Sequence, residues 1–247
     1  MDWGLKRAAE VFKTVDWVVP AYFSVGAIGM LADAIEGAAS VEQRQTILRD
    51  VLPRFYNDDY LAATLIDRYR STIYVRDFQL PIAEAIEAAV LGLPHAAVST
   101  LTPVLEGVLR KIAAERGGRE EGGKKFFIIP ELDELISKEE RSPHRYEERI
   151  TMLESLRDFF ADRLYAHTKN YDGLDQLNRH GILHGLFDGY GDGVNFYRLI
   201  SLLDLLCFAL ALAHGGSGFA SEDTDESRKL EAYYRATREH SKRRPAI

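Results

Sequence analysis

The stretch VNFYRLISLLDLLCFALALA, residues 194–213, decides the fold class of this chain. Apolar side chains occupy almost the whole circumference of a helix drawn through it, and such a helix is normally buried among other helices. Strand-like alternation is rare elsewhere, and only residues 125–130, KFFIIP, resemble an extended segment. The sequence therefore predicts an all-α protein, an antiparallel helical bundle with residues 194–213 at its centre.

Helical periodicity and glycine or proline breaks divide the chain into three parts. Residues 1–80 are predicted to form an N-terminal helical block that packs against a bundle at residues 81–214, which contains an insertion at 116–145. Residues 215–247 are predicted to be a linker and a polar helix with a basic end. The predicted helices cover about 3–18, 27–38, 41–52, 58–70, 81–91, 94–115, 130–138, 146–167, 173–187, 194–213 and 226–242, with breaks at Pro20, Gly37 and Pro53.

Composition favours a soluble protein of a reducing compartment. The 247 residues include a single cysteine, Cys207, which excludes an internal disulfide and which we interpret as a small core residue. The longest run without a charged residue or a histidine, residues 17–32, is shorter than the roughly 20 residues of a membrane span. No signal peptide is recognisable at the start of the sequence. We therefore expect a cytoplasmic protein with no membrane partner.

The net charge of −7 limits how the protein could meet a nucleic acid. The surface as a whole does not attract phosphate groups, so binding to RNA would require a local basic patch and would be sensitive to salt. The sequence also lacks a glycine-rich loop ending in Gly-Lys-Ser or Gly-Lys-Thr, which argues against kinase or nucleotide-triphosphatase chemistry.

One short motif, Arg179-His180-Gly181-Ile182-Leu183-His184, combines groups suited to chemistry on a phosphodiester. Arginine keeps its charge at any working pH and presents a planar fork of donors that matches phosphate oxygens. Histidine titrates near pH ~6.5, so it can take or give a proton at neutrality. On a helix His180 and His184 lie on one face. This pattern predicts a phosphate clamp beside a proton shuttle, as cleavage of RNA by its own 2′-hydroxyl requires.

In the context of long helices, this motif resembles the signature of the HEPN superfamily: arginine, a polar residue, three variable residues and histidine. Arg179 matches the arginine, His180 the polar position and His184 the final histidine, with Leu177-Asn178 before them and Gly185 after them. The helix at residues 101–110, which carries Glu106, is similar to the first long helix of that family. The following helix, which begins near Asn195, is similar to the one that closes those bundles. The resemblance covers about residues 81–214.

The resemblance implies a metal-independent endoribonuclease that needs no cofactor and leaves 2′,3′-cyclic phosphate and 5′-hydroxyl ends. Arg179 would hold the scissile phosphate, and His184 would activate the 2′-hydroxyl or protonate the leaving oxygen. His180 would orient one of these groups or supply the second proton-transfer group, with Glu106 and Asn178 in supporting roles. The family also implies a homodimer with the motif at its interface, an RNA substrate, and a setting in defence or toxin–antitoxin systems with a regulatory protein such as an antitoxin.

Structural interpretations of the same residues stay open at this point. Arg179 could pair with Asp175 on a helix surface, and Glu106 could bridge only to Arg110 one turn along its own helix. Asn178 could bond backbone rather than substrate.

Two further functions also remain open. His180 and His184 have the spacing of two zinc ligands with Asp188 nearby, but the glutamate of a His-Glu-x-x-His site is replaced by Gly181. The alternative from a different class is a non-catalytic helical module that binds nucleic acid or nucleotide, or regulates a partner. The net charge of −7 favours that alternative, because a stand-alone ribonuclease has more need of a basic surface.

Overall fold

The apolar stretch at residues 194–213 forms the centre of the molecule. In a computed structural model, which describes residues 4–115, 128–215 and 220–243, it lies in a 22-residue helix, and every residue from Val194 to Leu210 is buried. The side chain of Asp192 caps the first turn by accepting from the backbone N–H of Val194. Gly215 ends the helix with a left-handed backbone, φ 76°, which glycine adopts without steric cost.

The prediction of an all-α fold is confirmed, since every regular element within the described residues is helical. Short π-helical turns extend two of the α-helices, at Leu65–Tyr69 and Phe160–Leu164. The α-helices in chain order are α1 (Leu5–Lys13), α2 (Val25–Glu36), α3 (Val41–Phe55), α4 (Asp58–Thr64), α5 (Gln79–Val90), α6 (Pro94–Glu115), α7 (Ile128–Glu140), α8 (Glu147–Phe159), α9 (Arg179–Leu183), α10 (Gly193–His214) and α11 (Asp225–Ser241).

Helices from both ends of the chain surround α10. It packs against α3, α6 and α8, while α1 packs against α2 and α8, and α11 packs against α4 and α5. The buried side chains of the N-terminal helices and of the later helices belong to one apolar cluster. Cys207 is a buried free cysteine in this cluster, as predicted.

A buried arginine on α10 ties several of these elements together. The Arg198 side chain is 1% exposed and pairs with Asp175, which lies in the loop before α9. Its terminal nitrogens also donate to the backbone O of Val15 at 2.8 Å, to Gln45 Oε1 at 3.1 Å and to Asn195 Oδ1 at 2.8 Å. The end of α1, helix α3 and the α9 loop therefore meet at one guanidinium group.

Three sequence-based expectations about local structure were wrong. Pro53 does not end α3, because the last turn continues to Phe55 and is held by the fully buried side chains of Leu52 and Tyr56. The segment 173–187 is not a long helix, since only Arg179–Leu183 is α-helical. Residues 128–130, expected to be extended, form the first turn of α7.

Some of the segments singled out from the sequence lie outside the described residues. These are the whole glycine-rich loop at 116–125, residues 126–127, residues 216–219 of the linker, and Arg244 and Pro245 at the basic C-terminal end.

Helix α10 is also long and apolar enough to cross a membrane, judged by its length and composition alone. In the structure, however, 78% of its most apolar window is buried against the rest of the protein. A core helix of a water-soluble bundle has the same properties, so the length and hydropathy of α10 are accounted for by its position in the core.

Candidate functional site

The predicted motif lies on α9, a helix of only five residues whose two ends are fixed by specific bonds. At its start, the side-chain oxygen of Asn178 accepts from the backbone N–H of Gly181 at 2.9 Å. At its end, Gly185 adopts φ 64°, and the backbone N–H groups of Gly185 and Leu186 donate to the carbonyls of Ile182 and Gly181. This pattern is a Schellman motif, which explains why the helix stops at Leu183 and leaves His184 as its C-cap.

Asn178 is a structural anchor of the motif. Its side chain is fully buried, and its Nδ2 donates to the backbone carbonyls of Arg163 at 3.1 Å and Ala166 at 2.8 Å. Both the oxygen and the nitrogen of the Asn178 side-chain amide are therefore hydrogen-bonded to backbone groups. Asn178 therefore holds α9 against the end of α8 and is not exposed to a substrate.

Arg179 reaches across to α6 rather than to Asp175. Its Nε donates to Glu106 Oε2 at 2.5 Å and its Nη2 to Glu106 Oε1 at 3.0 Å. Glu106 Oε1 also accepts from Nε and Nη2 of Arg110, at 3.1 and 2.8 Å. The carboxylate thus joins two guanidinium groups, and Asp175 is taken instead by Arg198.

The electrostatic balance of this cluster favours the ionised form of Glu106. Burial alone would raise the pKa of Glu106, but the hydrogen bonds from Arg179 and Arg110 outweigh it and hold the pKa below its ordinary value of 4.5. Two guanidinium cations and one carboxylate leave the group with one net positive charge. The Arg179 side chain is 27% exposed, so part of this charge faces solvent.

The two histidines of the motif lie side by side at the surface. The centroids of the His180 and His184 rings are 4.3 Å apart, and both residues are exposed. The leucines beside them are exposed as well, Leu183 to 39% and Leu186 to 60% of their maximal area. The short helix therefore presents two imidazoles on a partly apolar surface.

A buried phenol lies close to the arginine pair. Burial raises the pKa of Tyr165, and the negative charge of Glu106 raises it further, while Arg179 and Arg110 lower it. The hydroxyl oxygen of Tyr165 is buried and has no hydrogen-bond partner among the described residues. Tyr165 is therefore a neutral, buried hydroxyl group that interacts electrostatically with Glu106, Arg179 and Arg110.

The loops on both sides of α9 are held in place by close contacts. Gln176, at φ 55°, uses its Oε1 to accept from the backbone N–H groups of Asp188 and Gly189. The Phe187 ring covers Gly181 so closely that an added Cβ would lie 2.3 Å from it. Any side chain at position 181 would displace this ring, so glycine is needed for the close packing of the motif.

A zinc site at the histidine pair would need a third protein ligand close to His180 and His184. In the part of the chain that the structure describes, no group of three histidine, cysteine, aspartate or glutamate side chains could hold a metal ion. Asp188, the residue considered as a ligand, is exposed, and its carbonyl oxygen is bonded to the ring of His95 at 3.0 Å.

Of the predicted site residues, Arg179 and Glu106 are brought together by the packing of α9 on α6, and His180 and His184 by the single helical turn. Sequence reasoning treated Arg110 only as a competing partner of Glu106, whereas the structure places it in the same cluster as Arg179. Tyr165 was missed altogether. Arg110 could have been found from its i, i+4 spacing to Glu106, but no sequence signal connects Tyr165 to either residue.

Comparisons with protein-family models, with curated proteins and with solved structures find no significant match to this chain.

Proposed function

We propose that this protein is a metal-independent endoribonuclease in which Arg179, His184 and His180 act on the RNA backbone. The observation that carries the proposal is the pair of exposed imidazoles, with ring centroids 4.3 Å apart, on the same short helix as an arginine of a cationic cluster. Acid–base groups and a phosphate-binding cation are the two components that cleavage by the 2′-hydroxyl requires.

In this proposal one imidazole accepts the proton of the 2′-hydroxyl as its oxygen attacks the adjacent phosphorus. The bond from phosphorus to the 5′-oxygen of the next nucleotide breaks, and that oxygen takes a proton from the other imidazole. The products are a 2′,3′-cyclic phosphate and a 5′-hydroxyl. His184 is proposed as one member of this pair and His180 as the second or as the residue that orients it.

Arg179 is proposed to bind the scissile phosphate and to stabilise the charge that develops on its oxygens. A guanidinium group has five N–H donors, and two of those in Arg179 are used by Glu106. The other N–H donors of Arg179 could bind a phosphate. The two bonds to Glu106 would hold the plane of the guanidinium group in a fixed orientation. Arg110, on the same carboxylate, adds a second positive charge.

A homodimer with the motif at its interface is part of the proposal. The exposed leucines at positions 183 and 186 border the histidines and would be covered by a symmetric contact. Such a contact would bring two copies of the motif together around one RNA strand and double the local positive charge, although the whole chain carries −7. A regulatory protein such as an antitoxin would be expected to bind at or near the same surface.

The test is cleavage of total RNA and of a labelled transfer RNA by the full chain in the presence of a chelator. We expect the wild type to cleave and His184→Ala to lose about 10²–10⁴ in rate, the usual contribution of a general acid or base. The products should carry cyclic-phosphate ends, and a substrate with 2′-deoxy sugars should be resistant.

The matched control is His144→Ala, which removes an exposed histidine far along the chain from the motif. This variant should cleave like the wild type. Equal cleavage by His184→Ala and the wild type, or loss of the wild-type activity on adding chelator, would contradict the proposal.

A second candidate, a non-catalytic module that binds nucleic acid or nucleotide, is favoured by a different observation. Arg179 is bonded to Glu106 through two of its nitrogens, and the chain as a whole carries −7, which suits a protein that binds phosphate weakly without cleaving it. In this case RNA would bind without being cut, affinity would fall with Arg179→Ala, and His184→Ala would change nothing in a fluorescence anisotropy titration.

A further inference from the structure

A cleft with a volume of about 320 Å³ lies between α1 and α8. Pockets that bind small molecules are typically about 300–1,000 Å³ in volume, with mostly apolar walls and a few polar groups. Here the apolar walls include Ala9 of α1, Trp17 in the turn after α1, and Phe159 of α8. The motif residues on α9 do not line this cleft, so it is separate from the proposed ribonuclease site.

The charges around the cleft are unequal. Five carboxylates and three cationic side chains line it. The cations are already engaged: Lys13 lies 3.2 Å from Asp162, Arg163 binds Asp16 at 2.5 Å, and Lys6 pairs with Glu147. The cleft therefore has an excess of negative charge.

Two carboxylates of the lining account for this excess. Glu10 of α1 and Glu154 of α8 form no ion pair or hydrogen bond with other described residues. Because they lie on the two helices that border the cleft, a cation bound there would be attracted from both sides.

A buried hydroxyl in the wall provides an independent indication of a ligand. Thr151 lines the cleft and is 3% exposed, and its Oγ1 has no hydrogen-bond partner among the described residues. A buried polar group without a partner destabilises the folded state, so nearly all such groups in native proteins are hydrogen-bonded. Rotation about its single side-chain torsion would let this hydroxyl bond a polar group that occupies the cleft.

We propose that the cleft between α1 and α8 binds a small organic amine, with its cationic group held by Glu10 and Glu154 and its apolar body against Trp17 and Phe159. The size of the cleft admits an aromatic ring with a short side chain. Thr151 supplies a hydrogen bond within the cleft. An anion of the same shape would be repelled by the carboxylates, and a neutral molecule would lose the attraction to them.

The floor of the cleft also supplies a reporter for binding. The backbone N–H of Leu174 donates to Asp16 Oδ2 at 2.7 Å, and Asp16 lines the cleft. Hydrogen exchange at this amide and at those of α1 and α8 should slow when the cleft is filled.

The experiment uses the full chain and three indole compounds that differ in charge: tryptamine, the neutral alcohol tryptophol, and indole-3-acetate. In isothermal titration calorimetry we expect tryptamine to bind at least about 10-fold more tightly than tryptophol, a difference of about 1.4 kcal/mol, and indole-3-acetate to show no binding. Hydrogen exchange with tryptamine present should show protection in α1, in α8 and at Leu174.

Variants locate the cationic subsite. Glu154→Gln and Glu10→Gln should each weaken tryptamine binding severalfold, while Glu84→Gln, an exposed carboxylate on α5, should leave it unchanged. These surface substitutions keep the side-chain shape, and circular dichroism would verify the helical content. The proposal is overturned if tryptamine does not bind, if tryptophol binds equally well, or if protection appears on α6 and α9 instead of α1 and α8.

Discussion

Arg198 and Arg179 both pair with a carboxylate, but their surroundings give them opposite properties. The Arg198 side chain is 1% exposed and has four different partners, whereas the Arg179 side chain is 27% exposed and bonds only Glu106 among the described residues. A buried guanidinium with all its contacts inside the protein joins helices. A partly exposed one keeps donors for a ligand. The two arginines therefore differ in solvent access, not in residue type, and only Arg179 is accessible enough to serve the proposed site.

The two arginines also differ in whether a second cation would still bind their carboxylate partner if the arginine were removed. Glu106 would keep Arg110, which binds the same oxygen at 2.8 Å. Among the described residues, Asp175 would keep only the cation of Arg49, 3.7 Å away. The Arg179 cluster is therefore redundant in charge, and the Arg198 cluster is not. Removing Arg179 should therefore disturb the fold less than removing Arg198.

Replacing each arginine with methionine is the strongest test of this comparison. Arg198→Met should lower the free energy of unfolding by about 3–5 kcal/mol, since removing one partner of a buried pair leaves an uncompensated charge. Arg179→Met should cost about 1 kcal/mol or less, as expected for a partly exposed ion pair. Urea denaturation followed by circular dichroism measures both, and equal losses of stability would contradict the difference between the two arginines.

Asp204 on α10 extends the comparison to a fully buried carboxyl group that accepts hydrogen bonds from two tyrosine hydroxyls. Burial raises the pKa of Asp204 from 3.8 to about 6, although the hydroxyls of Tyr60 and Tyr69, at 2.7 and 2.8 Å, partly stabilise the carboxylate. Because the pKa of Asp204 is higher in the folded state, protonation of this carboxyl group stabilises the fold. This stabilisation is complete below pH 3.8 and is lost as the pH rises through about 6.

Asp204→Asn should therefore change the pH dependence of unfolding. Between pH 4 and pH 7 the wild type should lose about 2–3 kcal/mol relative to this variant. Urea unfolding across that range measures the difference, with Asp50→Asn, an exposed aspartate on α3, as the control. Parallel curves for the wild type and Asp204→Asn would show that the buried carboxyl does not titrate in this way.

A further expected effect concerns the position of the motif. Asn178→Ala removes the N-cap of α9 and two bonds to the end of the α8 segment, and a lost N-cap alone costs about 0.5–2 kcal/mol. If Asn178 acts only by holding α9, RNA cleavage should fall because the histidines are displaced, and the loss should be smaller than in His184→Ala. A loss as large as that of His184→Ala, with unchanged stability, would place Asn178 in contact with substrate.

Most of the helical architecture could be predicted from the sequence, because amphipathic periodicity and breaks are local properties. Helix α6 was predicted at 94–115 and observed at Pro94–Glu115, and α10 was predicted at 194–213 and observed at Gly193–His214. The failures came where tertiary contacts overrode local preference. Packing of Leu52 and Tyr56 carries α3 past Pro53, and two specific caps shorten the motif helix.

The composition of the candidate site was only partly predictable. Spacing alone placed His180 and His184 on one face, because both lie within a single helical turn. It did not determine the partner of Arg179, which is 73 residues away in the sequence. Two carboxylates were available to Arg179, and the packing of α9 against α6 selects Glu106, while Arg198 takes Asp175.

The sequence by itself determined that the chain is helical, that residues 194–213 are its core, and that one short segment combines arginine with two histidines. These follow from periodicity and composition, which act over a few residues. Only the tertiary structure decided which charges meet, which are buried, and where a cleft remains between helices. Those properties depend on contacts between distant parts of the chain, and the geometry of helix packing, not local sequence, sets them.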